Sequence, residues 1–223
     1  MAEFSDAWVL GIDTSTAVGV GLARDGQLLV SRCVGDAVSH VELLARGINA
    51  VLSDCEVGYA DLTAIGVGVG PGPFTGLRVG IAAAETLGFA LNIPVVGVCS
   101  LDVLAAQYAD LGAESGFVVV TDARRKELYW AEYDEYGRRV AGPYVDAPDT
   151  LPELPVLGPG VACYPELLGS RALSGAPASL DAGFLAAHLA NLSHLGVAPL
   201  YLREPDAELP SRRKSVLTST LRA

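Results

Sequence analysis

The pattern of apolar and polar residues predicts that the chain opens with three strands joined by tight turns. Apolar runs at residues 8–12 and 18–22 have the length of strands, and the first ends in the polar stretch Asp13-Thr14-Ser15-Thr16. The pair Asp25-Gly26, which separates the second run from a third at residues 27–32, is a typical two-residue hairpin turn. The chain is therefore expected to begin with an antiparallel meander.

Two helices separated by a strand are expected next. Ser39 and Glu42 have the spacing of a capping box, which opens a helix that reaches about residue 53. A short apolar strand at residues 65–69 precedes the turn Gly70-Pro71-Gly72-Pro73, which can continue neither a strand nor a helix interior. Thr75 is then expected to cap the second helix.

The second helix carries a stripe of nearly bare positions. Its smallest residues recur every fourth position and therefore share one helix face: Gly76, Gly80, Ala84 and Gly88. An interior glycine costs about 1 kcal/mol relative to alanine, so we expect another backbone to approach this face closely. The approaching backbone can belong to the chain's own sheet or to a partner, and composition alone leaves both interpretations open.

The second half of the chain repeats the opening pattern. An apolar run at residues 117–122 ends in Asp122, as the first run ends in Asp13, and a returning strand is expected at residues 127–133. We therefore predict two lobes with the boundary near residue 111.

Residues 1–111 form the first predicted lobe, which carries the two helices. Residues 112–223 form a smaller, degenerate second lobe with a polar tail from Glu204. Apolar residues at helical spacing predict a helix at residues 181–195 within this second lobe.

Composition narrows the classes of function. The 223 residues carry a formal net charge of −11, which argues against direct nucleic-acid binding because proteins that bind nucleic acids usually present a basic face. The longest apolar window, residues 79–99, is interrupted by Glu85, Asn92 and Pro94, so we expect no membrane span and a cytoplasmic location. Four cysteines without a C-x-x-C pair are expected to be small buried hydrophobes or free thiols rather than disulfides: Cys33, Cys55, Cys99 and Cys163.

The duplicated halves, each opening with a strand that ends in aspartate, resemble the actin-like ATPase and sugar-kinase superfamily. Within it the chain resembles the bacterial TsaB family, also called YeaZ, through IDTST at 12–16, GPGPFTGLRVGIA at 70–82 and DARRKELYWAEY at 122–133. PLYLREPDAE at 199–208 and His40 agree with the same family. The resemblance implies an α/β protein of actin-like ATPase (ribonuclease H-like) fold, with two duplicated lobes of mixed sheets flanked by helices.

The same resemblance implies a function in tRNA modification. It implies a non-catalytic subunit that binds and activates a TsaD-type transferase, a paralogue of this chain, in forming N6-threonylcarbamoyladenosine next to the anticodon. A TsaE-type ATPase belongs to the same system, tRNA is reached indirectly through the complex, and the isolated chain is expected to self-associate. We expect no cofactor bound tightly by this chain alone and no membrane contact, while ATP or ADP stays open for the complex.

The polar turns after the two repeated strands are candidate phosphate loops. Backbone N–H groups and hydroxyls at Asp13, Thr14 and Ser15 could hold an anion, and Asp122 and Arg124 lie in the equivalent second turn. Active members of the superfamily commonly carry a glycine where Ser15 stands. We therefore interpret both turns as vestigial, and an autonomous actin-fold ATPase or small-molecule kinase is the alternative function.

Other catalytic motifs are incomplete. The turn at residues 70–76 is followed by Leu77 rather than by the lysine of a Walker A loop. His40, His188 and His194 lack the spacing of metal ligands, so neither metal-dependent transfer nor a metalloprotease is expected. We expect His40 to cap its helix or to contact a partner, and the other two histidines to pack or lie at the surface.

The densest run of basic residues before the tail is Arg124-Arg125-Lys126. A solvated turn is the plainer interpretation of these residues. A contact to the phosphates of tRNA or of a nucleotide, made within a complex, is the other interpretation.

The two helices of the first lobe carry the predicted partner interface. The prediction combines the apolar face of the first helix, the bare stripe of the second, and the family resemblance, which favours docking over packing on the chain's own sheet. The predicted interface residues are His40, Val41, Leu44, Ile48, Gly76, Arg78, Gly80, Ala84, Leu87 and Gly88.

Overall fold

The structure, a computed structural model, describes residues 7–33 and 40–203, except for the side chains of His40 and Val41. The strands in these ranges are β1 (Trp8–Asp13), β2 (Gly19–Arg24), β3 (Gln27–Cys33), β4 (Ala64–Gly68), β5 (Val95–Val98), β6 (Phe117–Asp122), β7 (Leu128–Tyr133), β8 (Arg139–Asp146), β9 (Val156–Leu157) and β10 (His194–Leu195). The helices are α1 (His40–Asp54), α2 (Phe74–Leu91), α3 (Ser100–Asp110), α4 (Pro165–Leu168) and α5 (Ala182–His188). Short 3-10 helices lie at Tyr59–Asp61, Pro148–Thr150, Pro159–Cys163 and Gly169–Arg171.

The first sheet is built around the predicted meander. Its described strands follow the order β10-β5-β4-β1-β2-β3, with β1, β2 and β3 antiparallel and β4 and β5 parallel to β1. Asp25 and Gly26 both have positive φ values, 51° and 78°, as the favoured two-residue hairpin turn requires. The predicted hairpin is confirmed.

The second sheet repeats the first on a smaller scale. Its described strands follow the order β8-β7-β6-β9, in which β6, β7 and β8 form an antiparallel meander and β9 is parallel to β6. Asp13 and Asp122 are the last residues of β1 and β6, the equivalent strands of the two meanders. The predicted fold class, two duplicated lobes with mixed sheets and flanking helices, is confirmed.

Helices α1 and α2 cover one face of the first sheet, and α5 covers the other. Leu44 and Ile48 of α1 and Leu77 of α2 share a core cluster with the sheet residues Leu10 and Val67. A second cluster on the opposite face joins α5 to the sheet, with members Val9, Ala23, Leu185 and Leu189. Each face of the sheet is therefore buried under helices.

Helix α5 lies against the sheet at backbone distance. A Cβ atom built on Gly21 would lie 2.2 Å from the backbone nitrogen of Gly183, and one on Gly11 would lie 1.9 Å from the carbonyl oxygen of Ala182. Real side chains do not tolerate such distances, so glycine is required at both positions of the sheet. These glycines allow the helix to sit directly on the strands.

The second half of the chain therefore completes the first sheet. Helix α5 is shorter than the predicted 181–195 and ends at His188, after which β10 pairs antiparallel with β5. Both elements lie beyond residue 111. The predicted division at that residue separates the two meanders, but α5 and β10 cross it to reach the first sheet.

Helix α3 connects the two lobes. Leu101 and Leu104 of α3 share a buried cluster with Phe117 of the second sheet. The Tyr133 hydroxyl donates a hydrogen bond of 2.7 Å to Asp102 Oδ1, and a guanidinium nitrogen of Arg139 lies 3.3 Å from Asp102 Oδ2. A buried polar contact thus fixes α3 against the second meander.

The start of α2 differs from the prediction. The helix begins at Phe74, after Pro73 in an extended conformation, and Thr75 lies inside the first turn instead of capping it. The fixed φ of proline already sets the entry to the helix, so the threonine is not needed there.

The predicted capping residue Ser39 and the tail from Glu204 lie outside the described residues. All four cysteines are described and are free thiols, as predicted.

Candidate functional site

The carboxylate of Asp13 lies at the end of β1 and is sealed from solvent. Asp13 is only 2% exposed. Its Oδ1 atom accepts hydrogen bonds from the backbone N–H of Ser15 at 2.8 Å and from the Ser15 hydroxyl at 2.7 Å. Its Oδ2 atom accepts a hydrogen bond of 2.6 Å from the hydroxyl of Ser100, the first residue of α3. Both oxygens are therefore engaged by the chain itself.

Ser100 also anchors the glycine-rich turn to the same site. Its hydroxyl accepts a hydrogen bond of 3.2 Å from the N–H of Gly70, and its own N–H donates to the Gly70 carbonyl at 2.8 Å. A Cβ atom on Gly68 would lie 1.7 Å from Asp13 Oδ2, so only glycine fits there. Asp13, Ser100 and the turn form one buried network that joins β1, β4 and α3.

Burial governs the titration of Asp13. Removal of the carboxylate from water raises its pKa above the ordinary 3.8, and the hydrogen bonds from Ser100 and Ser15 lower the pKa in part. The donors that support this carboxylate are groups of Ser15 and Ser100. Its geometry is that of a structural group.

The first candidate phosphate loop is filled by the glycine-rich turn. The Thr14 hydroxyl donates a hydrogen bond of 2.8 Å to the carbonyl of Gly76. A Cβ atom on Gly72 would lie 2.7 Å from the Ser15 carbonyl oxygen, so the two backbones touch. The cavity left beside Asp13 measures about 10 Å³, room for about one water molecule. As the described residues form it, this cavity is smaller than a phosphate group.

The second candidate loop is open and separate from the first. Asp122 Oδ1 accepts a hydrogen bond of 2.7 Å from the N–H of Arg124, whose guanidinium lies 3.4 Å from Asp122 Oδ2. The Arg124 side chain is mostly exposed. The cavity beside Asp13 is lined by residues such as Thr16 and Leu180, and neither Asp122 nor Arg124 is among its lining residues. Among the described residues, the cavity beside Asp13 is therefore lined by the first predicted loop and not by the second.

The described histidines have structural contacts. The His188 ring stacks on Phe184 with 3.9 Å between the ring centroids. His194 Nε2 lies 2.8 Å from the carbonyl oxygen of Leu189. In the part of the chain that the structure describes, no group of three or more His, Cys, Asp or Glu side chains could hold a metal ion. The His40 side chain is outside that part.

The glycine stripe of α2 is buried in the chain's own core, and the prediction that it docks a partner was wrong. A Cβ atom on Gly80 would lie 2.3 Å from Thr14 Oγ1, and one on Gly88 would lie 2.2 Å from Val95 Cγ2. Gly76 is buried beside Thr14, and Ala84 is fully buried. The small residues admit the sheet and the β1–β2 turn, which supply the close approach that the sequence required.

The remaining predicted interface residues divide into two groups. Leu44 and Ile48 of α1 are buried in the same core, so they too are wrong as interface residues. Arg78 is exposed and Leu87 is half-buried, so both can be reached from outside. The side chains of His40 and Val41 lie outside the described residues.

The face of α2 opposite the stripe is open. Its exposed residues include Arg78, Ala82, Glu85, Phe89 and Ala90. Phe89 is 92% exposed, the highest value among the large hydrophobic side chains of the described residues. A groove of about 620 Å³ runs beside it, between the end of α2 and the segment that leads into β5. One exposed aromatic residue is ordinary, but one beside a groove marks a candidate contact surface.

Helix α2 is also the one described helix that is long and apolar enough, by composition, to cross a membrane, with a mean hydropathy of 1.2. Its apolar character has a direct explanation in the fold. Leu77 and Ile81 pack in the core of the first sheet.

Sequence reasoning missed the role of Ser100. Ser100 is the first residue of an apolar helix, and its hydroxyl donates a hydrogen bond to the carboxylate of Asp13, 87 residues away. No local spacing connects the two residues, so only the fold reveals the contact.

Residues 36–208 match the family described as TsaD, tRNA N6-adenosine threonylcarbamoyltransferase. An uncharacterized protein of Mycobacterium tuberculosis is 43% identical over 213 residues, which cover 93% of this chain and 97% of that protein. TsaB of Bacillus subtilis, a tRNA threonylcarbamoyladenosine biosynthesis protein, is 33% identical over 127 residues, which cover 56% of this chain and 54% of that protein.

A solved structure is similar over nearly the whole fold. A Pseudomonas aeruginosa protein, described as similar to the peptidase YeaZ, superimposes with a TM-score of 0.72 at 27% identity. The match covers 88% of this chain and 100% of that one.

Proposed function

The chain belongs to the family of the tRNA N6-adenosine threonylcarbamoyltransferase TsaD, as a TsaB (YeaZ)-type member, and from that premise we propose that it binds and activates a TsaD-type catalytic partner. The chain takes part in the biosynthesis of threonylcarbamoyladenosine on tRNA. Its share of the work, in this proposal, is to assemble the complex and to hold the partner's transfer site in a working conformation, with no catalysis of its own.

The closed turn at Asp13 carries the proposal. Gly72 lies on Ser15, and both oxygens of Asp13 are bound by serines, so the chain keeps the fold of a phosphate-transferring protein without room for a phosphate. The alternative, an autonomous ATPase or small-molecule kinase, needs that room. A metal-dependent peptidase is not favoured either, because the described residues contain no group of three or more His, Cys, Asp or Glu side chains that could hold a metal ion.

The outer face of α2 is the partner surface in this proposal. Phe89 provides an exposed aromatic anchor beside a groove, with Ala82 and Ala90 on the same side of the helix. Arg78 and Glu85 supply opposite charges at its rim. Aromatic anchors that fill a partner's pocket, surrounded by small residues and a polar rim, contribute most of the binding free energy at interfaces.

The wider assembly follows from the same proposal. A TsaE-type ATPase joins the complex, tRNA is modified in the cytoplasm, and the outer face of α2 pairs two copies of this chain when the partner is missing. Any ATP or ADP is held by the complex in this proposal, which is supported by the small size of the cavity beside Asp13.

Co-purification with the TsaD-type paralogue tests the proposal. The chain and the paralogue from the same genome are expressed singly and together, and transfer of threonylcarbamoyl to tRNA is measured for each preparation. Transfer is expected with both proteins present and with neither alone. Phe89→Glu should weaken the pair by about 2 kcal/mol, or roughly thirty-fold in Kd.

Leu111→Glu is the matched control, because Leu111 is also exposed but lies beyond the end of α3. This variant should pair normally. Transfer by this chain alone, or Mg-dependent ATP turnover by it alone, would contradict the proposal and favour the alternative. Equal loss of pairing in both variants would show that the outer face of α2 is not the contact.

A further inference from the structure

The last described residues of the chain connect α2 to the basic turn between β6 and β7. The N–H of Leu200 donates a hydrogen bond of 2.8 Å to the carbonyl of Val69. The Tyr201 ring stacks on Phe74, with 4.7 Å between centroids, and its hydroxyl accepts a hydrogen bond of 2.9 Å from Arg78 Nε. The segment therefore lies across the first turn of α2.

Two residues later the same segment reaches the second lobe. Arg203 donates a hydrogen bond of 2.7 Å to the carbonyl of Ala123 and forms an ion pair with Glu127. Ala123 and Glu127 flank the turn Arg124-Arg125-Lys126. A continuous chain of contacts thus runs from Arg78, through Tyr201 and Arg203, to this turn.

These contacts bring distant cations to one surface, which we call the cationic strip: Arg78, Arg124, Arg125, Lys126 and Arg203. It holds five of the fifteen lysines and arginines of a chain whose net charge is −11. Asp122 pairs with Arg124, and Glu127 pairs with Arg203. The strip thus gathers a third of the positively charged residues of an acidic protein.

Four residues of the strip, Arg78, Arg124, Arg125 and Lys126, are exposed beside aromatic rings, whereas Arg203 is half-buried. Arg124, Arg125 and Lys126 have φ values of 60°, 53° and 63°, so three consecutive residues adopt the left-handed conformation and all are exposed. Phe74 and Tyr201 are 40% and 37% exposed, and the Arg78 guanidinium carbon lies 3.6 Å from the Phe74 ring centroid. Cations next to exposed aromatic rings are the combination that binds single-stranded nucleic acid.

We propose that the cationic strip, with Phe74 and Tyr201, contacts the sugar-phosphate backbone of RNA. The proposal rests on the proposed function, in which that RNA is the tRNA held by the complex. Phosphates bind the guanidinium and ammonium groups, and an unpaired base stacks on the aromatic pair. The net charge of −11 opposes binding by the isolated chain, so the strip supplements contacts of the partner instead of replacing them.

The salt dependence of RNA binding tests the strip. Arg125 and Lys126 are replaced together by asparagine, which tolerates the left-handed conformation and removes two positive charges. Binding of transcribed tRNA to the complex is measured by fluorescence anisotropy at several salt concentrations. The double variant should bind more weakly. The negative slope of log K against log salt should become shallower by about 1.5, as expected for two lost phosphate contacts.

The control removes the same charge elsewhere. Both control residues lie away from the basic turn. Arg24 pairs with Trp8, the first residue of β1, and is therefore at the opposite end of that strand from Asp13. Arg138 lies between β7 and β8, at the end of β7 that is remote from the basic turn. The pair Arg24→Gln and Arg138→Gln should leave both affinity and slope unchanged. Phe74→Ala should weaken binding with no change of slope, because stacking releases no counterions.

Partner co-purification is measured on the same samples, so the two proposals can fail separately. Unchanged affinity and slope in the double variant, with normal partner binding, would overturn the strip and leave the proposed function intact. If the wild-type chain binds no partner, the proposed function fails, and the strip, which rests on it, fails with it. A loss of MgATP binding with unchanged RNA binding would make the strip a nucleotide site and overturn the RNA assignment.

Discussion

The Ser100 hydroxyl donates a hydrogen bond of 2.6 Å to Asp13 Oδ2 across 87 residues of sequence, and this contact joins the start of α3 to the end of β1. It ties the turn that resembles a phosphate loop to the helix that leads into the second lobe. The Asp13 carboxylate, which could have faced a ligand, is instead hydrogen-bonded within the fold.

Replacing Ser100 by alanine should destabilise the protein by about 1–3 kcal/mol, because a buried carboxylate oxygen and the N–H of Gly70 both lose a partner. The free energy of unfolding is measured by urea denaturation. Thr86→Ala, which removes an exposed hydroxyl on α2, is the control and should change stability by about 0.5 kcal/mol or less. Equal effects of the two changes would contradict the structural role of Ser100.

The stability of the protein should fall as pH rises through the pKa of Asp13. Burial raises this pKa above 3.8, so the folded protein holds the proton more tightly than the unfolded chain does. The stabilising contribution of protonated Asp13 is therefore fully present at pH values below its pKa in the unfolded chain. It is lost as pH rises through the higher pKa of Asp13 in the folded protein.

Asp13→Asn isolates this contribution. Burial also raises the pKa of Asp102, but that group is present in both proteins and cancels in their difference. The difference in unfolding free energy, wild type minus Asp13→Asn, should decrease from pH 4 upward and then level off. Denaturation curves at a series of pH values give this difference, and a difference independent of pH would show that Asp13 titrates normally.

The two faces of α2 should respond oppositely to the same substitution. Gly80→Leu places a side chain against Thr14 in the core and should destabilise the protein by about 3 kcal/mol or more. Ala82→Leu adds the same kind of side chain to the exposed face two residues later, and the protein should stay folded. Thermal denaturation followed by circular dichroism compares them. A stable Gly80→Leu variant would show that the glycine stripe of α2 lies at the surface rather than in the core.

The contact between α5 and the first sheet should be equally intolerant. In Gly21→Ala the new methyl group meets the backbone of Gly183 at 2.2 Å, and a backbone cannot move aside as a side chain can. We expect a loss of about 3 kcal/mol. Gly169→Ala is the control, because nothing lies within 4 Å of its Cβ position, and it should be neutral or slightly stabilising. Similar losses in both variants would argue against the close packing of α5.

Local chemistry predicted the features of the fold that depend on neighbours in sequence. The hairpin at Asp25 and Gly26 follows from the positive φ that two-residue turns require. The repeat of Asp13 and Asp122 follows from two apolar runs of equal length that each end in a polar turn. These signals are complete within a few residues of the chain.

Features that depend on distant segments were not predictable in the same way. The spacing of Gly80 and Gly88 shows that some backbone approaches α2, but it does not identify the backbone. The family resemblance favoured a partner, whereas Thr14 and Val95 of the chain itself fill the space. Phe89, in the same helix, belongs to the open face, and its exposure could be read only once the buried face was known.

The two surfaces proposed for this protein share a single helix. Phe74 and Phe89 are separated by fifteen residues of α2, or about 22 Å along its axis. A partner seated at Phe89 would therefore lie within one helix length of RNA seated at Phe74. This spacing is compatible with one RNA molecule that contacts both proteins of the complex.

Because α5 packs directly on Gly11 and Gly21 of the first sheet, a polypeptide that lacks α5 is not expected to fold properly. A polypeptide ending at residue 111 would expose Val9 and Ala23 to water and leave Gly11 and Gly21 as a bare trough on the sheet. Such a fragment should aggregate unless a second polypeptide that includes Ala182–His188 is supplied to fill the trough. The first sheet is therefore covered on this face only after α5 has packed back onto β1 and β2, and neither half of the chain is expected to be soluble without the other.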